Sequence, residues 1–510
     1  MIDQITRGIR SLVKPKRKAK RDLFLVMADR FSKRLAKWPL PRKPAAPRGR
    51  IGVLVTQWLS TGVPLFNLEI ALMLAREGYQ VTALFDETDL VGNAVDAAHD
   101  KALSSILDSL GGVIERVDVH KAPEGTPDVE AAQTLLAQNA IWRMRGEEKA
   151  SEFIEANPAS QERIARHIGR LEEMLRTAGF DWIFIPGGIF GLSGAYVAAA
   201  RKTKTEFVTY DAAVGVLRLA QGGIAAHLGD LPRAFANLRA RWQSDESEKQ
   251  RVLGLAQAEI EDRAAARDFR HFQVAAATRQ DDLKYDMLVP LNIRWDSAAL
   301  DRQRVFTSVR EWLETLLKWT AARRDTTICV RQHPRERLNF ARGSDDVASL
   351  LSQFEGMRVR LRYVRADEEV NTYDLLRHCK VVLPHTSTIG IEAAFLGKPV
   401  VLGTTCYYED LGFVWRASSQ EEYFSHVDKA LSGKLQINEA QRADAAFAYF
   451  LTQRCAFVRS EFNPHAENFD KWCEMTPEAV WQSPETEDVR TALLNHEPLA
   501  AVRYRRLVQG

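Results

Sequence analysis

From Ile51 onward, short apolar segments alternate with amphipathic segments of helical spacing, and this alternation constrains the fold more than any other feature. The first repeat of the pattern predicts a strand over Ile51–Thr56, a helix over Leu65–Glu77 and a second strand over Gln80–Phe85. Strands that alternate with helices are typical of βαβ units, which build a mostly parallel sheet covered by helices. The sequence therefore predicts an α/β fold.

The alternation occurs in two consecutive runs, which predicts two doubly wound, Rossmann-like domains. The first run continues through strands predicted at Val113–Val119, Trp182–Pro186 and Phe207–Tyr210, with a polar, helix-rich insertion over residues 125–178. The second run begins near His271. Its predicted strands are Phe272–Ala276, Met287–Leu291, Thr326–Arg331, Arg358–Tyr363, Val381–Pro384 and Pro399–Gly403.

These runs divide the chain into four predicted parts. Residues 1–50 form an arm and linker, 51–270 the first domain, 271–435 the second domain and 436–510 a helical tail. Ligands of such sheets bind at the carboxyl ends of the strands, so the site is expected in the cleft between the two domains.

Composition excludes several classes of protein. A chain of 510 residues that is 45% hydrophobic has enough apolar material for two cores, which excludes wholesale disorder. No apolar run approaches the ~18 residues that span a bilayer, and we expect no secretory signal. The five cysteines are widely spaced without a CxxC pair, which argues against a zinc site or a disulfide framework and favours the cytoplasm.

Residues 1–50 are strongly basic, with 16 Lys and Arg against 3 Asp and Glu, whereas the remaining chain has 54 against 64. The apolar residues of this arm recur at helical spacing: Phe24, Met27, Phe31, Leu35 and Trp38. A basic amphipathic helix predicts binding to an anionic membrane surface. The alternatives are a helix packed on the body or a disordered tail. The acidic body does not indicate binding of nucleic acid.

Three consecutive hydroxyl residues, Thr386, Ser387 and Thr388, follow a predicted strand and precede a predicted helix. Three hydroxyls exceed what one helix cap needs, and the free amides of a helix start attract anions, so this turn predicts a phosphate site. Glu392 lies one helical turn further and is predicted to hold a ribose hydroxyl or to act as a capping partner. The alternative is an ordinary capped helix.

Two further loops follow predicted strands of the same domain. His333 precedes Pro334 and is flanked by Arg331 and Arg335, which predicts a histidine that donates to a phosphate or supplies a proton. The other loop contains the polar residues Asn292, Asp296 and Ser297 beside Trp295. It predicts a ligand site, and the alternative is an Asn/Asp turn with a packed tryptophan.

Together these loops resemble the capsular polysaccharide biosynthesis family, whose members include bacterial glycosyltransferases for Kdo, an acidic eight-carbon sugar. The resemblance covers roughly residues 270–415. The matching segments are Asn292–Ser297, Arg331 with His333-Pro334, Thr386–Glu392 and Gly397-Lys398-Pro399. It implies a GT-B architecture in which the second domain holds most of the nucleotide sugar. In similar sialyl- and Kdo-transferases, a His-Pro histidine and a hydroxyl turn contact the nucleotide phosphate, which implies those roles for His333, Ser387 and Thr388.

The first domain is expected to bind the acceptor. Thr61 and Gly62 lie in the loop after its first strand, and Gly188 lies in a glycine-rich turn that does not match the dinucleotide pattern GxGxxG. These three residues are the predicted acceptor contacts.

A general base is expected at a strand end of the first domain. Asp211 follows the strand Phe207–Tyr210 and is the first candidate, with Asp86 and Glu87 as alternatives. His227 is predicted to be a helix-surface or core histidine.

The sequence thus favours a glycosyltransferase of bacterial capsule or lipopolysaccharide assembly on the inner face of the plasma membrane. It would need no cofactor and no metal, would take a nucleotide sugar (a CMP-linked sugar being one candidate), and would act on a lipid-linked or growing glycan. The alternatives are a nucleotide-sugar epimerase of the same fold and a non-catalytic polysaccharide assembly protein.

Overall fold

A computed structural model describes residues 22–58, 61–90, 96–268, 273, 284–354, 356 and 360–509. Apart from Gln273, the predicted strand Phe272–Ala276 lies outside these residues, as do the first 21 residues of the arm.

The first sheet has seven strands within the described chain, in the order β13-β6-β5-β4-β1-β2-β3. They are β1 (Arg50–Val55), β2 (Gln80–Phe85), β3 (Ile114–Asp118), β4 (Trp182–Pro186), β5 (Glu206–Ala213), β6 (Val216–Gln221) and β13 (Val458–Arg459). Strands β5, β4, β1, β2 and β3 are parallel, as predicted. Strands β6 and β13 pair antiparallel at one side and were not predicted.

Nine helices of the described chain accompany this sheet up to residue 264. They are α1 (Leu23–Leu35), α2 (Val63–Arg76), α3 (Ala97–Ser109), α4 (Val129–Met144), α5 (Ala150–Ala156), α6 (Ala159–Ala178), α7 (Gly191–Thr203), α8 (Leu231–Ser244) and α9 (Glu246–Ala264). The insertion at 125–178 is helical, as predicted, and consists of α4, α5 and α6.

Within the part of the chain that the structure describes, the second sheet has four parallel strands in the order β10-β7-β8-β9. They are β7 (Met287–Pro290), β8 (Ile328–Arg331), β9 (Leu361–Val364) and β10 (Val381–Val382), and a short parallel pair, β11 (Val401–Leu402) with β12 (Trp415–Arg416), follows. The helices of this part are α10 (Val309–Ala321), α11 (Val347–Ser352), α12 (Thr372–His378), α13 (Ile389–Phe395) and α14 (Gln420–Leu431). Two Rossmann-like units therefore follow one another, which confirms the predicted fold class.

The tail crosses from the second unit back to the first. Its helices are α15 (Glu439–Phe450), α16 (Ala466–Glu474), α17 (Pro477–Trp481), α18 (Pro484–Leu494) and α19 (Leu499–Tyr504). Helix α15 packs on α9 and α13, after which β13 joins the first sheet and α16 packs on α1. The boundaries at 50, 270 and 435 stay predictions, but α8 and α9 share an apolar core with the second unit.

The apolar face of α1 packs against the first unit and α16. Phe24 is 1% exposed and Phe31 is fully buried, with its ring 6.3 Å from that of Trp472. On the same helix, the buried Arg34 forms an ion pair with the buried Glu69. The prediction that Phe24 and Phe31 contact lipid is therefore wrong. Residues 23–35 instead form a helix packed on the body, which was the alternative interpretation of the sequence. Within the described residues, no helix is long and apolar enough to cross a membrane.

We predict that Phe31→Ala lowers the free energy of unfolding by about 3–5 kcal/mol, because it leaves a cavity between α1 and α16. Leu23→Ala, on the same helix but 53% exposed, is expected to change it by less than about 0.5 kcal/mol. Urea denaturation followed by circular dichroism measures both variants. Equal, small effects would contradict the packing of α1.

Candidate functional site

A cavity of about 190 Å³ lies where loops of the second unit meet strand β6, the segment that follows it and residues 452–453 of the tail. We call it the cleft cavity. Three loops after β7, β8 and β10 contribute the predicted residues Asn292, Asp296, His333, Thr386, Ser387 and Thr388. From the first unit come Arg218 and the segment Ala226–Leu228. The cavity therefore brings the three predicted loops together, although they are far apart in sequence.

The cleft cavity is lined mainly by cationic and hydrogen-bonding groups. Arg218, Arg302 and Arg335 line it, and Asp296 is the only carboxylate among its described lining residues. Burial lowers the pKa of Arg302 but leaves it a cation at neutral pH. Three guanidinium groups facing one carboxylate attract an anion such as a phosphate.

His333 enters this cavity as a neutral hydrogen-bond donor. Its Nδ1 accepts a hydrogen bond from the backbone amide of Arg335 at 3.2 Å, so the neutral imidazole carries its proton on Nε2. Burial, together with the charges of Arg335 and Arg331, lowers the pKa of His333 to about 4. At pH 7 the group donates a proton to a hydrogen bond without adding a positive charge.

The hydroxyl turn is held in place by its neighbours. Asn292 Oδ1 accepts the backbone amide of Thr386 at 3.2 Å, and the Thr386 hydroxyl donates to the carbonyl of Ala298 at 3.0 Å. Tyr408 donates its hydroxyl to the carbonyl of Ser387 at 2.7 Å. Thr386 thus fixes the loop, which leaves Ser387 and Thr388 as the hydroxyls best placed to contact a ligand.

Three predicted ligand residues, Arg331, Ser297 and Glu392, do not line the cavity. The Arg331 guanidinium donates to the carbonyls of Val364, Arg365 and Val370, so it fastens the loop after β9 instead of binding phosphate. Arg335 takes its place in the lining.

Glu392 is fully buried and accepts a hydrogen bond from the Tyr373 hydroxyl at 2.8 Å. It also pairs with Arg263 at 3.3 Å. Because these interactions lie inside the protein, Glu392 does not offer its carboxylate to a ribose. Its contact with the Thr388 hydroxyl, at 3.5 Å, matches the alternative of a capping neighbour.

His227 connects the two units. Its Nε2 donates to the carbonyl of Ser297 at 2.8 Å, and burial lowers its pKa to about 3. The hydroxyl of Ser297 donates to Asp296, whose same oxygen accepts the amide of Ala298 at 3.2 Å. His227 is buried, as the core interpretation expects, but it also lines the cleft cavity.

A second cavity of about 790 Å³ lies mainly in the first unit, and we call it the N-terminal cavity. The chain after β1, β2 and β4 lines it, and Ala226 lines both cavities. Gly188 belongs to it with a φ of +104°, and a Cβ there would lie 2.8 Å from Ile224 Cδ1, so the turn requires glycine.

Two predicted acceptor contacts lie elsewhere. Thr61 donates to the carbonyl of Trp58 at 2.7 Å, and a Cβ on Gly62 would lie 2.7 Å from the carbonyl oxygen of Pro464 in the tail. Neither residue lines the N-terminal cavity, because this turn packs against the tail.

Asp211 stands at the border of the two cavities. It lines the N-terminal cavity and lies 3.9 Å from Arg218 of the cleft cavity. Burial raises its pKa, and the nearby Asp296 adds to the rise. Of the alternatives, Glu87 also lines the N-terminal cavity, whereas Asp86 is buried and bonded to His167 at 3.0 Å and Tyr196 at 3.1 Å.

One group of three potential metal ligands occurs in the described chain. Asp22, Asp96 and His99 offer atoms within 4.8 Å of one another at the edge of the N-terminal cavity. Exposed acidic groups of this kind are common without a metal, so no metal is assigned to them.

Two Rossmann-like units with cavities at their shared cleft define a GT-B-like protein, as the sequence predicts. Residues 244–449, less than half of the chain, match the family model described as capsule polysaccharide biosynthesis protein. This match confirms the predicted resemblance and includes the three loops of the cleft cavity. No curated protein matches the sequence.

Several solved structures are similar at low identity. The KpsC β-Kdo 2,7 transferase of Thermosulfurimonas dismutans is 16% identical over 58% of this chain and 86% of that chain, with a TM-score of 0.33. A putative UDP-N-acetylglucosamine 2-epimerase of Listeria monocytogenes is 12% identical over 80% and 96%, with a TM-score of 0.25. An O-GlcNAc transferase of Thermobaculum terrenum is 14% identical over 95% and 74%, with a TM-score of 0.27. Scores this low carry no functional argument.

We predict that stability decreases as the pH falls from 6.5 towards 4. Burial lowers the pKa of His385 to about 4, as it does for His333, so the unfolded chain binds more protons than the folded protein in this window. His385 alone contributes up to about 1.4 kcal/mol per pH unit. Urea denaturation between pH 7 and pH 5 should show a shallower dependence for His385→Gln than for the natural protein. An unchanged slope would contradict the burial of a neutral His385.

Proposed function

We propose that this protein is a glycosyltransferase of bacterial surface-polysaccharide assembly that uses a nucleotide-sugar donor. The observation that supports it best is the lining of the cleft cavity, which combines three arginines, the neutral His333 and the hydroxyls of Ser387 and Thr388 with a single carboxylate among the described residues. A nucleotide phosphate gains negative charge as the glycosidic bond breaks. Fixed donors at that position stabilise the transition state more than the ground state, so no metal is required.

The donor phosphate would be bound by Ser387, Thr388, His333 and Arg335. Arg302 and Arg218 would complete its charge neutralisation from the sides of the cavity. Asn292 would act indirectly, because its side chain holds the amide of Thr386.

The acceptor would approach from the N-terminal cavity, where Asp211 lies between the two sites. As a carboxylate it would remove the proton of the attacking hydroxyl, and Arg218 would orient it. The acceptor would be a lipid-linked or growing glycan, in keeping with the match of residues 244–449 to the model described as capsule polysaccharide biosynthesis protein. An anionic membrane surface as a partner of residues 1–50 stays a prediction, now without lipid contact by Phe24 and Phe31.

The two alternative functions, an epimerase and a non-catalytic assembly protein, would use the two cavities differently. An epimerase would need only the cleft cavity and would turn over a nucleotide sugar without acceptor. An assembly protein would bind without turnover. The large second cavity beside Asp211 favours the transferase.

We predict that His333→Ala lowers turnover by roughly 10²–10³, because it removes one fixed donor to the developing phosphate charge. The double variant Ser387→Ala with Thr388→Ala should also weaken nucleotide binding, since the phosphate is charged before reaction. Assays run with a chelator and with CMP-, UDP-, GDP- and TDP-sugars measure turnover, and thermal shifts measure binding.

His378→Ala, a histidine change in α12 outside the cleft cavity, is the matched control and should behave like the natural protein. If the cavity variants kept full turnover and full donor binding, the donor site could not lie in the cleft cavity. Activity lost with the chelator and restored by magnesium would refute the metal-independent mechanism.

We predict that Asp211→Asn lowers turnover far more than it weakens donor binding, because the amide cannot accept the acceptor proton. Burial raises the pKa of Asp211, so turnover should fall as the pH decreases through that raised value and protonates the base. A pH–rate profile of kcat/KM checks this, with Glu87→Gln as the comparison. If Asp211→Asn kept full activity and Glu87→Gln lost it, Glu87 would be the base.

A further inference from the structure

The N-terminal cavity presents aromatic rings beside its glycine-rich turn. Trp58, Trp142 and Phe190 line it and are half-buried. The rings of Trp142 and Phe190 stack with centroids 5.1 Å apart and an angle of 29° between their planes. Trp58 lies against Gly187, where a Cβ would be 3.3 Å from its Cη2. Aromatic faces carry partial negative charge and pack well against the C–H faces of sugar rings.

The charged groups of this cavity are almost all negative. Its carboxylates belong to Asp22, Glu87, Asp89, Asp96 and Asp211. Among the described lining residues there is no lysine or arginine, and His99 is the one basic side chain. Of the segments next to the lining that lie outside the described residues, 59–60 and 91–95 contain no charged residue, whereas Lys20 and Arg21 directly precede the lining residue Asp22.

The two amide side chains of the lining are already engaged with the backbone. Gln57 exchanges hydrogen bonds of 3.0 Å with the backbone of Asp96. Asn139 donates to the carbonyl of Leu135 at 2.7 Å and accepts the amide of Gly191 at 3.0 Å. The carboxylates are partly engaged too, since Asp22 accepts the amides of Phe24 and Leu25 and Asp96 accepts that of Ala98. A carboxylate has several lone pairs, so it still accepts hydrogen bonds from sugar hydroxyls. A carboxylate or phosphate on the ligand has no proton to donate to these carboxylates, and its negative charge is repelled by theirs.

The two cavities therefore differ in the sign of the charge that their described lining residues carry. The cleft cavity carries three arginines, whereas the N-terminal cavity carries five carboxylates, and Asp211 with Arg218 marks the border between them. A polyanionic ligand is favoured on one side of this border and disfavoured on the other.

We propose that the N-terminal cavity binds a glycan whose terminal sugar carries no negative charge, with its ring packed on Trp142, Phe190 or Trp58 and its hydroxyls bonded to the carboxylates. This inference rests on the proposed function in treating the cavity as the acceptor site. It narrows the acceptor to a class, because a glycan that ends in a neutral sugar is favoured over one that ends in an acidic sugar.

Matched trisaccharides test this inference on the full chain. One set ends in a neutral hexose or N-acetylhexosamine, and the other is the same set oxidised at C6 of the terminal sugar to the uronic acid. Ligand-observed NMR titrations, with and without the nucleotide that the protein binds, give the affinities. The uronic forms of the best ligands should bind at least about tenfold more weakly.

Variants separate the roles of charge and ring. The double variant Glu87→Gln with Asp96→Asn removes two negative charges, so it should reduce the difference in affinity between the neutral and oxidised ligands. Asn caps helices as well as Asp does, so helix α3 should keep its N-cap at position 96. Trp142→Ala should weaken both ligands. Trp319→Ala is the matched control, because that ring stacks on Phe424 in the second unit and should leave both affinities unchanged.

Equal or tighter binding of the oxidised trisaccharides would overturn this inference, and so would binding of neither set. Nucleotide binding that depends on His333, Ser387 and Thr388 would still support the proposed function in that case. If the natural protein bound no nucleotide, the proposed function itself would be refuted.

Discussion

The relative placement of the two units depends on a reciprocal exchange of hydrogen bonds across the cleft. The Glu147 carboxylate, in the helical insertion, accepts the backbone amides of Val309 at 3.1 Å and Arg310 at 3.3 Å, at the start of α10. In return, Asp345 accepts the amides of Glu147 and Glu148, each at 3.0 Å. Because each unit satisfies backbone donors of the other, this contact ties the helical insertion to the start of α10 and to the segment before α11.

The sequence predicted the inner parallel strands well because β1, β2, β4, β7 and β8 are mostly apolar runs that are almost fully buried. It did not predict β6, whose burial is irregular and which contains Arg218, or β13, which has only two residues. Strand β13 pairs with β6 some 240 residues earlier, through Val458 and Leu217. Such a short strand is specified by its partner and not by its own sequence.

For the site, the sequence predicted which loops meet, because parallel strands place their carboxyl ends at one edge. It did not predict side-chain direction. Arg331 and Arg335 both flank His333, yet only Arg335 lines the cavity, since the Arg331 guanidinium is bonded to carbonyls after β9. Likewise, Glu392 was assigned to the cleft from helical spacing, but its partner Arg263 comes from α9, a contact that no local pattern reveals.

The return of the tail to the first unit has a consequence for how the chain is made. Strand β13 completes the first sheet beside β6, and α16 covers α1, so segments far apart in sequence are neighbours in the fold. During synthesis, the outer edge of β6 stays unpaired, and the part of α1 that α16 covers stays exposed, until residues 458–474 have left the ribosome. The nascent chain therefore depends on protection from edge-to-edge association for almost its whole length.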